Sequence, residues 1–208
     1  MRVPKVAGTV VDHVIYGVGD LDAAVGRFGF DYGLQPIAQA KHPGWGTRNA
    51  VIPAGYGQFI ELLAIAEPAS DTPLVGGLRR LLVEGDRMAG VCLRPPDFDA
   101  VVERLSLQVM AGERDEGDRL LRFRRTVVER DPAFPFFIDW QGAEREMDER
   151  YGEAALTDGI AWVEVGGDRQ AMRDWVGDDT VPIRVLPGVR GPRRFALRTK
   201  AGDEIAIS

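Results

Sequence analysis

The sequence predicts an α+β fold: repeated β-α-β-β-β modules forming a curved, mainly antiparallel sheet around a cleft, with a third, degenerate module. Three observations carry this. Asp20-Leu21-Asp22-Ala23-Ala24-Val25-Gly26-Arg27-Phe28 recurs as Asp97-Phe98-Asp99-Ala100-Val101-Val102-Glu103-Arg104-Leu105, identical at five of nine positions at a spacing of 77. Each copy follows a short apolar segment and precedes three extended pieces separated by turn residues. Phe59-Ile60-Glu61 then recurs as Phe137-Ile138-Asp139 at a spacing of 78.

Taken in order, residues 11–18 are β-branched and apolar enough for a strand, and Asp20 offers a helix N-cap ahead of Leu21, Ala24, Val25 and Phe28 at helical spacing. Extended pieces follow near 35–40, 47–53 and 57–65, divided by Pro43-Gly44 and Ala54-Gly55. Residues 71–84 read as a connecting amphipathic helix through Leu74, Leu78, Leu81 and Leu82. The second copy opens with a strand at 89–93, passes through its helix, and continues at 107–113, 119–128 and 134–140. Residues 1–141 thus hold paired modules at 11–65 and 88–140, and 142–156 is a charged, partly helical linker. Residues 157–208 form the third module, with a strand at 159–165, a helix from Asp168, and strands near 182–186, 192–199 and 203–207, packed as part of the same fold.

Composition narrows the function classes. The 208 residues are 45% hydrophobic and 28% charged, enough to bury a core without disulfides or structural metal. A net charge of -6 and the lack of a long basic cluster argue against nucleic acid and anionic membrane. The longest apolar runs are far shorter than the roughly 18–20 residues of a membrane span, and residues 1–5 introduce no secretion-signal core, so a cytoplasmic location is expected. Cys92 is the one cysteine, and His13 and His42 are the only histidines, which excludes a zinc finger. No complete phosphate-cradling glycine loop or nucleophile elbow is present, so no nucleotide is expected. The expected partner is a small-molecule ligand, and a homodimer is compatible with this reading.

Strand alternation places His13 on one face with Val11 and Ile15, and Glu61 on one face with Phe59 and Leu63. Glu61 sits inside an apolar run, where a carboxylate loses hydration and needs a cation, a hydrogen bond or a proton. His13 is the natural partner. Thr47 and Asn49 share a strand face and offer a hydroxyl and an amide to a polar group. His42 and Trp45 lie in a Pro/Gly loop from which side chains reach over a cleft. Arg122 and Arg124 share a face and suit either an anionic substrate or a solvated edge. Trp140 alternates away from Asp139 and reads as core against a helix, and Cys92 as an inert strand residue.

Four segments, Val11-Asp12-His13-Val14-Ile15-Tyr16, His42-Pro43-Gly44-Trp45-Gly46-Thr47-Arg48-Asn49, Gln58-Phe59-Ile60-Glu61-Leu62-Leu63 and Pro135-Phe136-Phe137-Ile138-Asp139-Trp140, together resemble a glyoxalase-like domain of the vicinal oxygen chelate superfamily. The resemblance covers residues 11 to about 165. It implies that the first and fourth strands of each module face one divalent metal, at places that fall on His13, Glu61, Gly90 and Asp139. Three of these have ligand chemistry and Gly90 has none. A divalent Zn, Fe, Mn, Ni or Co on His13, Glu61 and Asp139 would act as a Lewis acid, with Glu61 or Asp139 moving a proton. The other reading of the same residues is a hydrogen-bonded cross-strand cluster with no metal. The expected activity is accordingly that of a glyoxalase-like lyase, isomerase or dioxygenase acting on a small oxygenated metabolite. The alternative is a metal-free protein that sequesters a drug or metabolite in a cleft lined by Trp45, Phe59 and Phe137.

Overall fold

The computed structural model describes residues 8–42, 44–115, 120–127 and 131–208. Pro43, the ends of the strand expected at 119–128, and residues 1–7 lie outside the described residues. In chain order the elements of the first module are β1 (Val10–Gly17), α1 (Leu21–Tyr32), β2 (Ala38–His42), β3 (Thr47–Gly55) and β4 (Gln58–Ile65). The connecting helix α2 (Pro73–Leu81) leads to the second module: β5 (Arg87–Arg94), α3 (Phe98–Leu105), β6 (Val109–Asp115), β7 (Leu120–Thr126) and β8 (Phe136–Asp139). Helix α4 (Glu144–Ala154) occupies the charged linker, and β9 (Thr157–Gly166), α5 (Arg169–Val176), β10 (Ile183–Leu186), β11 (Gly191–Thr199) and β12 (Glu204–Ile207) complete the chain. Among the described residues no helix is long and apolar enough to cross a membrane.

The same local chemistry starts three of the helices. Asp20, Asp97 and Asp168 each hold extended backbone and accept a hydrogen bond from an amide of the first turn, at 3.1 Å from Ala23, 2.9 Å from Ala100 and 2.7 Å from Ala171. Each such cap contributes about 1 kcal/mol. Helix α1 ends at Gly33, whose φ of 71° is the left-handed turn that glycine adopts freely.

Eight strands form one curved sheet in the order β2-β3-β4-β1-β5-β8-β7-β6. In each module the fourth strand runs parallel to the first, and the modules meet where β1 and β5 pair antiparallel. His13 faces Cys92 and Ile15 faces Gly90 across that junction, an antiparallel pairing that suits an approximate two-fold relation between the modules. The register slips between Val11 and His13. Val11 therefore packs into the helix-side core rather than beside His13, and Asp12 turns toward the concave face.

The remaining strands form a second sheet, ordered β10-β9-β11-β12. This unit has the element order expected of a third module but a different strand order, with β9 between two neighbours rather than at the end of a row. Nearly all of β9 is buried, as a central strand requires. Val163, Val165, Phe195 and Leu197 join Val14, Ile60, Leu62 and Phe137 in one core on the helix-covered side of the large sheet. The second core fills part of the concave side, where Met147 and Tyr151 of α4 meet Phe59, Phe123 and Trp140. The third unit thus backs the large sheet, and α4 closes one end of its cleft.

Candidate functional site

The concave face keeps a cavity of about 100 Å³, lined by His13, His42, Glu61, Arg114 and Arg125 among the apolar walls of Trp45, Phe123, Phe136, Ile138 and Trp140. Its floor is built from β1 and β4. His13 is buried, stacked at 4.3 Å on Phe59, with Phe136 edge-on at 5.7 Å. Its Nδ1 lies 2.6 Å from Asp12 Oδ1. Asp12 is fully buried and also accepts a hydrogen bond from Trp140 Nε1 at 3.0 Å, with Arg94 Nε 3.6 Å away. A carboxylate only accepts, so Nδ1 carries the proton and Nε2 is the nitrogen presented to the cleft, 3.9 Å from Glu61 Oε2.

Glu61 is held from its other side. Asn49 Nδ2 donates to Glu61 Oε1 at 2.6 Å, while the buried Asn49 Oδ1 has no partner. Burial pushes the Glu61 carboxyl up, but His13, Arg114, the Asn49 amide and His42 together outweigh it and hold the group below the usual carboxylate range. Glu61 is an ionised acid inside an apolar strand, with Oε2 directed at a gap too long for a direct hydrogen bond. His42 Nδ1 pairs with Thr47 Oγ1 at 3.0 Å. Burial, together with Arg114 and Arg125 and against Glu61, lowers the His42 pKa, so its ring is neutral at pH 7.

The structure brings together His13, Glu61, His42, Trp45, Thr47, Asn49 and Phe59. It moves four other expected residues away. Asp139 lies on the opposite face of β8, bound to Arg124 at 2.6 Å, and borders a separate surface groove. Arg124 spans Asp139 and Asp99, and Arg122 pairs with exposed Glu113. Phe137 packs in the helix-side core near Trp175. For Asp139 and Phe137 the cause is a one-residue slip, and for Arg122 and Arg124 it is that β7 turns its other face, that of Phe123 and Arg125, to the cleft. Matching Phe-Ile-Glu to Phe-Ile-Asp uses a spacing of 78, whereas β8, paired beside β5 with Cys92 next to Phe136, turns Phe136 and Ile138 and not Asp139 to the cleft. One residue of slip exchanges the faces of a strand. Phe136, Ile138 and Trp140 consequently face the cleft, as do Phe123 and Arg125 on β7. Trp140 does pack against a helix, as its alternation suggests, through Met147 of α4.

Asp12, Arg114, Arg125 and Phe136 were not legible as site residues. For Arg125 the signal was present: it shares strand parity with Leu121 and Phe123, both buried.

These residues do not fit the four-ligand metal centre that the superfamily uses. Of the places that the resemblance implies, only His13 and Glu61 present a donor atom to the cleft: Gly90 has none, and β8 turns Phe136 and Ile138 inward instead of Asp139. Asp12, His13 and Cys92 place ligand-type atoms within 4.8 Å of one another. Both Asp12 oxygens are engaged, however, by His13 Nδ1 and Trp140 Nε1, and burial, reinforced by the Asp12 charge, pushes the Cys92 thiol well above its usual range.

Two β-α-β-β-β modules meet through their first strands in this chain, with a polar cluster on the concave face. The chain belongs to the Glyoxalase-like domain family, whose sequence profile matches residues 11–177. A search of curated proteins finds none that matches significantly in sequence. A hypothetical protein from Staphylococcus aureus has a similar crystal structure, with a TM-score of 0.67 at 17% identity over 96% of this chain and 98% of that one. Methylmalonyl-CoA epimerase from Mycobacterium tuberculosis aligns at a TM-score of 0.45 and 18% identity, covering 66% of this chain and 90% of its own. The Streptomyces coelicolor epimerase, solved with 2-nitronate-propionyl-CoA, aligns at 0.44 and 20% identity over 58% of this chain and 89% of its own.

Proposed function

We propose that this is a cytoplasmic glyoxalase-like enzyme that moves a proton on a small oxygenated metabolite, using its own side chains in place of the superfamily's metal. The observation that carries the reading is Glu61: a buried, ionised carboxylate with one oxygen tied to Asn49 and the other facing the cavity beside His13 Nε2. Glu61 Oε2 takes a proton from a carbon next to a carbonyl, and the electron pair left behind moves onto the carbonyl oxygen. Charge growing on that oxygen is met by the guanidinium groups of Arg114 and Arg125 in a site with largely apolar, aromatic walls. Asp12 fixes the His13 tautomer, so that Nε2 is placed to receive or relay the same proton.

A sequestering protein is the second reading, favoured by the predominance of aromatic and aliphatic side chains around the cavity. One experiment separates the two. Wild-type protein and Glu61→Gln are incubated in D₂O with small 2-oxo and 2-hydroxy acids and followed by proton NMR. The enzyme reading expects wild type to exchange a carbon-bound proton for deuterium, and Glu61→Gln to lose about 10²- to 10⁴-fold of that rate. Saturable binding without exchange would assign the cleft to sequestration.

A further inference from the structure

The cavity also holds a cation that makes no direct ion pair with a described residue. Arg125 is half-buried on β7 among the lining residues. Its guanidinium lies 4.8 Å from the Trp45 ring centre and 5.7 Å from that of Phe136, and its hydrogen bond goes to the Thr126 carbonyl at 3.3 Å. Among the described residues it makes no ion pair. Other arginines on the large sheet are matched: Arg124 by Asp99 and Asp139, Arg94 by Asp12 and Asp148, Arg122 by Glu113. A guanidinium taken partly out of water without an ion-pair partner is costly, and at Arg125 that cost falls inside the cavity.

We propose that Arg125 is the specificity-determining residue of the cleft and that its ligand is a small monocarboxylate, held by the guanidinium with its oxygenated carbon turned toward Glu61. This deepens the acid–base reading above and rests on it for the role of Glu61. Three features select the ligand class. The planar fork of an arginine matches a carboxylate in two-point contact. Trp45 and Phe136 fix the plane of that fork. The ionised Glu61 across the cavity repels a dianion, which favours a carboxylate over a phosphate monoester. The unpaired Asn49 Oδ1 beside Glu61 is a buried acceptor suited to a hydroxyl on the same molecule.

The test titrates full-length protein with lactate, lactamide and inorganic phosphate, read by the fluorescence of Trp45 and Trp140, and repeats the series with Arg125→Met and Arg125→Lys. Lactate should bind at least tenfold more tightly than its uncharged amide and than phosphate. Arg125→Met should lose about 10- to 100-fold in lactate affinity, the range for a charged hydrogen-bonded contact, and with it the preference over lactamide. Its thermal midpoint should stay level or rise, because no ion pair is broken. Should Arg125→Met fail to fold, Arg125→Lys decides: it should keep the preference for the acid over the amide while binding more weakly. Equal binding of acid and amide, tighter binding of phosphate, no saturable carboxylate binding, or unchanged affinity in both variants would overturn the proposal. Deuterium exchange that depends on Glu61 but not on ligand charge would overturn this assignment alone and leave the acid–base reading standing.

Discussion

Glu61 lies between Ile60 and Leu62, residues that pack in the helix-side core, and keeps its charge through contacts made by other elements. Asn49 on β3 supplies the hydrogen bond, and His13 on β1 faces the second oxygen. Replacing Asn49 by Leu leaves Glu61 Oε1 buried without a donor. We expect a loss of about 1–3 kcal/mol in urea unfolding, smaller at low pH where the carboxyl can protonate. His42 gives a second residue-level expectation. Its folded pKa lies below the ordinary value of about 6.5, so the unfolded chain binds more protons as pH falls below that value, and stability falls with it. Glu61, also lowered, adds a further loss as pH drops below about 4.5 toward its own folded value. In His42→Gln the first part of this acid loss, from about pH 6.5 downward, should disappear from a thermal-shift profile while the second remains. Equal pH dependence in both proteins would contradict the assignment.

The elements were the most legible level of the molecule. Hydrophobic period, aspartate caps and turn residues located the strands and helices of both modules within a few residues, because these signals are local. The face that each strand presents was legible in β1, β3 and β4, and brought His13, Thr47, Asn49, Phe59 and Glu61 to one side. It failed in β7 and β8. In β8 the similarity of Phe-Ile-Glu to Phe-Ile-Asp favoured the wrong face and placed Asp139 in the site; in β7 alternation grouped Arg122 with Arg124 without showing which face is concave, which left Arg125 out. The register slip that turns Asp12 under His13 leaves no mark in the local sequence, since it depends on how β5 pairs with β1. The hairpin between β3 and β4 carries an element-level expectation. A side chain at Gly55 would stand 2.7 Å from the Gly159 Cα, where β9 passes over the hairpin and Thr157 Oγ1 donates to the Ala54 carbonyl at 2.7 Å. Gly55→Ala should cost about 1–3 kcal/mol by forcing β9 away, measurable by urea unfolding. An unchanged midpoint would show that this contact yields.

At the scale of the whole molecule, the division of labour between the faces of the large sheet explains why the third unit is present. Its sheet shares one core with the helix side, where Val163, Val165, Phe195 and Leu197 meet residues of both modules. A chain ending at residue 156 would expose that apolar surface, and we expect it to be aggregation-prone or to lack fixed tertiary packing. The strand order of this unit was not legible, because the same succession of β-α-β-β-β allows several pairings and only the burial of β9 selects the central position. With that support behind it, the concave side is free for chemistry, and the account rests on that chemistry needing no metal. The direct measurement is deuterium exchange into small carboxylates by protein stripped with a chelator and checked by elemental analysis. The account predicts exchange at the unstripped rate, abolished in Glu61→Gln. Exchange that stops on stripping and returns with a divalent cation would contradict it.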